Sequence, residues 1–273
     1  MSHPKKRLQA AGLWAKKAWG QNFLHDQGTQ DKIVQATISG LEGHPVLEIG
    51  AGLGDLTAAL LRQRERVTAI ERDRDLVPLL QERFSHASGF EVLETNALTY
   101  TLPEEETPWV VVGNLPYHIS SRILFHLLAQ RQRWVRAVFM FQKEVAQRVA
   151  ATEPSSVHWS GLSAQVSRVC HVRWVGEVSP GCFHPPPKVD SAVVALSPRA
   201  EVDGIEDSQF AQMVRIVFAE RRKTLRNNLK KGGVGSLERI DGVLSELGID
   251  PRLRGERLTV NQLRSLTKAL ILN

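Results

Sequence analysis

Cysteine, tyrosine and methionine are scarce in this chain of 273 residues: two Cys, two Tyr and three Met. Cys170 and Cys182 have no CxxC spacing, which argues against a disulfide framework and a thiolate zinc site. Idle thiols in a reducing compartment are expected, and no metal. No apolar run approaches the roughly 18 residues of a membrane span. No apolar h-region opens the chain, so neither a secretory signal nor membrane attachment is expected, and a cytoplasmic location is. Internal repeats and long low-complexity tracts are also missing, which excludes repeat architectures and compositional disorder. Acid is absent from the first 24 residues, which carry Lys5, Lys6, Arg7, Lys16 and Lys17. A transit peptide has that composition too, but Gly20-Gln21-Asn22-Phe23-Leu24 reads as part of the working protein.

What is present begins with a hydrophobic content of 42%, enough to bury a core, and a formal net charge of +6 with a pI near 9.5. The basic balance points to an anionic partner, most simply nucleic acid. Residues 1–27 form a basic arm in which Trp14, Trp19 and Phe23 sit among the cations. Such a segment suits contact with nucleic acid or closure over a ligand.

From Thr29 to Ile38 the apolar spacing is helical. Pro45 to Ile49 then reads as a strand, Gly50 to Gly54 as a tight loop, and Asp55 to Leu61 as a helix with Asp55 at its N-cap. Strands follow at Arg66–Ile70 and Phe90–Leu93, the apolar run Val110–Gly113 is the fourth, and Val135–Phe141 is the fifth. Helices are expected from Asp73 through Leu80, over Ile119–Leu128 and over Lys143–Ala151. Strand, loop and helix in alternation predict a doubly wound α/β sheet. His171–Val178 and Val189–Leu196 have no helix between them and predict an antiparallel hairpin at the sheet edge. Near Ser197-Pro198 the pattern turns wholly helical, with helices over Phe210–Leu229, Leu237–Leu247 and Val260–Ile271. The domain reading is therefore an arm over 1–27, an α/β domain over 28–197 and a small all-α domain over 198–273.

Asn114-Leu115-Pro116-Tyr117 lies at the carboxyl end of the fourth strand, where open α/β sheets bind ligands. Pro116 stops the strand, Asn114 offers an acceptor oxygen, and Tyr117 a flat face. An acceptor beside an aromatic platform suits a planar group bearing an NH₂, such as the amino edge of a nucleobase. The glycine loop, with Glu71 closing the next strand, points to a cofactor containing a nucleoside. Its spacing is G-x-G-x-G rather than G-x-G-x-x-G, and Asp55 stands where a pyrophosphate would be repelled. S-adenosylmethionine, with no phosphate and a positive sulfonium, fits better than a nicotinamide dinucleotide. Asn96, after the third strand, can reach the adenine amino group or serve as an ordinary turn residue.

With these residues in view, the chain resembles the ribosomal RNA adenine dimethyltransferase family of the KsgA type over nearly its full length. Six stretches in order carry the resemblance: Gly20–Leu24, Glu48–Gly54, Asn114–Tyr117, Gln142–Val145, Phe183–Ser191 and Phe218–Asn227. It implies a class I, Rossmann-like methyltransferase with a seven-stranded sheet, a small helical C-terminal domain and S-adenosyl-L-methionine as cofactor. It implies methylation of two adjacent adenosines near the 3′ end of small-subunit ribosomal RNA, each taking two methyl groups on its exocyclic nitrogen, by a monomer acting on a pre-ribosomal particle. Gln21, Asn22, Leu24, Gly50, Gly52, Glu71, Arg72, Asn96, Ala97 and Asn114 are then expected at the cofactor. Asn114, Leu115, Pro116 and Tyr117 are expected at the target base, with Phe183 stacking on its other face. The family usually has Asp where this chain has Asn96, so weakened or retuned adenine binding is expected. Arg221, Arg222, Lys223, Arg226, Lys230 and Lys231, clustered near one helix, would grip the RNA backbone. The competing readings are the large-subunit enzymes of macrolide resistance, nucleic-acid-binding transcription factors related to the family and, weakest, a dehydrogenase.

Overall fold

A computed structural model describes residues 3–200 and 203–272. The chain opens with α1 (Pro4–Ala10), β1 (Phe23–Leu24) and α2 (Gln27–Ile38). The alternation then runs β2 (Val46–Ile49), α3 (Asp55–Leu61), β3 (Val67–Glu71), α4 (Val77–Arg83), β4 (Phe90–Glu94), β5 (Trp109–Asn114), α5 (Ser120–Leu128), β6 (Trp134–Gln142) and α6 (Lys143–Ala150). After it come α7 (Gly161–Val169), β7 (Cys170–Val178), β8 (Phe183–His184) and β9 (Ser191–Pro198), and then α8 (Asp207–Val217), α9 (Leu225–Lys231), α10 (Leu237–Glu246) and α11 (Val260–Thr267).

Seven strands form one sheet in the order β4-β3-β2-β5-β6-β9-β7. β2 to β6 run parallel, and β9 returns antiparallel to β6. Val46, Val67, Val110, Val111 and Val112 are essentially inaccessible to solvent. Parallel strands covered on both faces read as continuous apolar runs for that reason. The strand order reverses at β2, which has β3 on one side and β5 on the other. The crevice at that switch point opens at the carboxyl ends of β2 and β5. Both candidate motifs, the glycine loop and Asn114–Tyr117, leave the sheet there. Gly113 lets them meet, because a Cβ on it would sit 2.7 Å from the Ile49 carbonyl.

The residues of 1–146 and 173–198 form one compact unit, and those of 147–172 and 199–273 a second. The sequence boundary at Ser197-Pro198 passed over the helix α7. Its Ala164 is fully buried in the same apolar cluster as Phe210, Met213 and Leu263 of the helical unit. Other expectations shift with local cause. Asp55 is not the N-cap of α3; Gly54, in the left-handed region at φ 78°, takes that position and Asp55 begins the helix. The helix expected from Asp73 starts at Val77. The single helix expected over Phe210–Leu229 is two, α8 and α9. Thr224 caps the N-terminus of α9, and the Asn228 amide donates to the Val217 carbonyl that ends α8. The arm is not loose. α1 packs Leu8 against Phe23, Leu53 and Leu76, and β1 pairs with β8, Leu24 opposite Phe183. Among the described residues no helix is long and apolar enough to cross a membrane.

Candidate active site

A cavity of about 270 Å³ lies at the switch point, inside the first unit. Its wall contains every residue expected at the cofactor, from Gln21 and Asn22 through Glu71 and Asn96 to Asn114, together with Leu115, Pro116 and Tyr117. The expectations differ, however, in what each side chain does.

Asn114 donates its amide NH₂ to the Asn22 carbonyl at 2.9 Å. That bond turns the acceptor Oδ1 away from Asn22, and among the described residues no protein donor reaches it. Tyr117 is fixed at both ends. Its hydroxyl lies 2.6 Å from Ser191 Oγ, and its carbonyl accepts from Ser120 Oγ at 3.0 Å. Burial raises the phenol above its ordinary range, opposed by the bond to Ser191.

Glu71 lies at the end of β3 with its carboxylate held by three backbone donors. Gly52 N–H reaches one oxygen at 2.9 Å, and the N–H groups of Arg72 and Asp73 reach the other at 2.8 Å each. Burial pushes this carboxyl upward, and those N–H groups hold the rise back. Gly52 adopts φ 58°, and a Cβ there would lie 3.1 Å from the Phe23 ring, so the loop closes only on glycine. Glu48, 2% exposed, accepts from Thr57 Oγ1 at 2.5 Å. Burial pushes its carboxyl up to about 7; Glu71 and Asp55 add to the rise, while the Thr57 hydroxyl and Arg83 oppose it. The cavity thus places Glu48 and Glu71 behind a glycine cradle, while Asp55 is neutralised by Arg7 and Arg83. The two glutamates suit a ligand that carries a sulfonium and an ammonium.

Three expected cofactor residues have their side chains engaged elsewhere. Gln21 donates to Asp73 at 2.7 Å and accepts from Lys16 N at 2.8 Å, so it ties the arm down. Asn96 Oδ1 accepts from Leu98 N–H at 3.0 Å, a turn bond that the plain reading of this residue anticipates. Arg72 lies over the Trp19 ring at 5.4 Å. Phe183 is absent from the cavity wall. It is 3% exposed, pairs with Leu24 across β1 and β8, and packs in the core with Val178 and Val193. The sequence could not separate a stacking ring from a loop anchor, and here Phe183 is the anchor.

Sequence reading missed three supports. Arg7 of α1 donates to the Asp55 carboxylate and to the Leu53 carbonyl, and Arg83 donates to the same pair from α4. Lys16 Nζ binds Asp73 at 2.5 Å and Asp75 at 2.6 Å. Ser191 lay inside a recognised block with no role attached. The basic cluster, in the second unit, also divides. Arg226 donates twice to Asp241 at 2.6 Å, Lys231 pairs with Glu220, and Arg221 lies 3.6 Å from Glu256. Arg222, Lys223 and Lys230 are exposed and carry no ion pair among the described residues. Among the described residues no group of three or more His, Cys, Asp or Glu is placed to hold a metal ion.

The family model for ribosomal RNA adenine dimethylase matches residues 12–271. A ribosomal RNA small subunit methyltransferase A from Anaeromyxobacter sp. (strain K) is 40% identical over 280 residues, covering 98% of this chain and 97% of its own. The protein of that name from Pseudomonas aeruginosa is 44% identical over 249 residues, covering 89% and 90%. Among solved structures, a dimethyladenosine transferase from Plasmodium falciparum superposes with a TM-score of 0.79 at 29% identity, over 89% of this chain and 95% of its own. The 23S rRNA methyltransferase ErmE does so with a TM-score of 0.71 at 28% identity, over 91% and 99%.

Proposed function

Because the chain belongs to the ribosomal RNA adenine dimethylase family, we propose that it transfers methyl groups from S-adenosylmethionine to two adjacent adenosines near the 3′ end of small-subunit ribosomal RNA. Each exocyclic nitrogen receives two. The enzyme works as a cytoplasmic monomer on a pre-ribosomal particle. Relatives named for the small subunit are 40% and 44% identical, whereas the large-subunit enzyme ErmE is 28% identical, which favours the small subunit.

The observation that carries the reading is the orientation of Asn114, whose NH₂ is spent on Asn22 and whose oxygen is left as an acceptor. An adenine amino group is a poor nucleophile because its lone pair is delocalised into the ring. Asn114 Oδ1 and the Leu115 carbonyl accept its two hydrogens, which localises the lone pair and stabilises the positive charge that develops on nitrogen. Tyr117 stacks on the extruded base and holds it in line. No general base is needed, since the nitrogen sheds a proton readily once it is alkylated. Glu71 accepts from the ribose hydroxyls, the glycine loop from Gly50 to Gly54 lets the backbone approach, and Asn96 with Ala97 borders the adenine. The cofactor supplies an electrophilic methyl on a positively charged sulfonium. The exposed cations Arg222, Lys223 and Lys230 contact RNA phosphates.

The test is methyl transfer from labelled S-adenosylmethionine to small subunits lacking the modification. Incorporation approaching four methyl groups per subunit is expected. Asn114→Ala should lower the rate by about 10²–10³-fold, in the range set by removing one preorganised hydrogen-bonding group. Labelling of large-subunit RNA instead would move the protein to the class of ErmE. Labelling of neither, with RNA still bound, would favour a non-catalytic binding factor.

A further inference from the structure

The cations of the N-terminal segment divide by partner. Arg7 pairs with the buried Asp55, and Lys16 with the buried Asp73 and the half-exposed Asp75. Lys5, Lys6 and Lys17 are exposed and carry no ion pair among the described residues. The tryptophans divide in the same way. Trp19 is gripped by Lys16 at 5.1 Å and Arg72 at 5.4 Å. Trp14 is 78% exposed, and among the described residues no ring or cation packs on it. Its neighbours Leu13 and Ala15 pack against Leu8, Phe23 and Leu53. The indole is therefore held out on an anchored backbone rather than carried on a loose tail. Ala18 to Leu24, which follow, line the cavity that the target base must enter.

We propose that the outward face of residues 5–17 is a docking strip for single-stranded RNA. Trp14 stacks on an unpaired base beside the target adenosine, while Lys5, Lys6 and Lys17 contact phosphates. The inference rests on the RNA methylation reading and adds to it a second grip, on the catalytic unit itself. An exposed indole in a segment that also carries three exposed, unpaired cations matches the stacking platform and charged track of single-strand binders. A protein partner would call for a contiguous apolar patch, and the exposed residues adjoining Trp14 are cationic or small.

The test compares the wild type with Trp14→Ala, Trp14→Phe and the triple variant Lys5→Gln, Lys6→Gln, Lys17→Gln. Affinity for a short single-stranded RNA containing two adjacent adenosines is measured across a salt series, with S-adenosylhomocysteine binding and methyl transfer alongside. Trp14→Ala should weaken RNA binding roughly tenfold and raise KM for small subunits without lowering kcat, and Trp14→Phe should keep most of the affinity. The triple variant should flatten the logarithmic salt slope by about 2. Unchanged S-adenosylhomocysteine binding verifies that the arm remains folded. Wild-type RNA affinity at every salt concentration in both Trp14→Ala and the triple variant would overturn the strip. If Trp14→Ala also loses S-adenosylhomocysteine, the triple variant decides. RNA binding that depends on Trp14 in a protein transferring no methyl groups would overturn the methylation reading instead and leave the strip standing.

Discussion

Ser191 and Tyr117 stand 74 residues apart and share one hydrogen bond of 2.6 Å. Ser191 is fully buried, and Tyr117 is partly so. Ser191→Ala and Tyr117→Phe should each cost about 1–3 kcal/mol, because each leaves the other hydroxyl unmet, and Tyr117→Phe should keep the ring face and most of the methyl transfer. Urea unfolding and a transfer assay read both. Glu48 makes a pH prediction. Its carboxyl has an ordinary value of 4.5 and is pushed up to about 7 in the fold, first by burial. The folded chain therefore keeps a proton that the unfolded chain has released, and stability falls as pH rises from about 4.5 to about 7, then levels off. Glu48→Gln should reduce that slope in denaturation midpoints measured across the window, leaving the part that the raised Glu71 carboxyl contributes.

The arm carries a role that its sequence did not mark: α1 is a clasp on the glycine loop, since Arg7 donates to Asp55 and to the Leu53 carbonyl. Arg7 and Arg83, from elements far apart in the chain, converge on Asp55, which is nearly buried. Asp55→Asn leaves two guanidinium groups facing each other with no counter-charge. It should cost about 2 kcal/mol, less than for a fully buried pair because both arginines keep some contact with water. S-adenosylhomocysteine affinity should fall with it, since Leu53 and Gly54 lose their support; calorimetric titration checks this. Phe183 teaches the same lesson from the other side. Its block was legible, but its partner Leu24 lies at the opposite end of the catalytic unit's chain, and only that pairing decides whether the ring faces the cavity or the core.

Across the molecule, the second unit has its own polar anchor. Arg168 donates to Asp203 through Nε at 2.9 Å and Nη2 at 2.7 Å, and Arg264 reaches the same carboxylate at 2.8 Å. Burial alone would raise the Asp203 carboxyl, but the bonds from Arg168 and from Ile205 N–H, with both arginine charges, hold it down at about 2 against an ordinary 3.8. Its contribution is fully present above about 4 and is lost as pH falls from there through about 2. Asp203→Asn should therefore flatten the acid limb of the unfolding profile without moving the limb between 4.5 and 7 to which Glu48 contributes. Circular dichroism of the two variants across pH separates the contributions.

By itself the sequence determined the class of sheet, the position of both motifs at strand ends, the helical character of the last third and the glycine-rich cofactor loop. Those features are local. Buried parallel strands are written as apolar runs, and sharp turns as glycine and proline. Tertiary structure alone decided that 147–172 joins the helical unit, that Asn22 orients Asn114 from 92 residues away, that Ser191 holds Tyr117, and which cations of the arm and of the basic cluster are already paired. A charge or hydroxyl carries no mark of its partner when that partner is dozens of residues distant. The geometry that pairs them exists only once the strands have taken their order in the sheet.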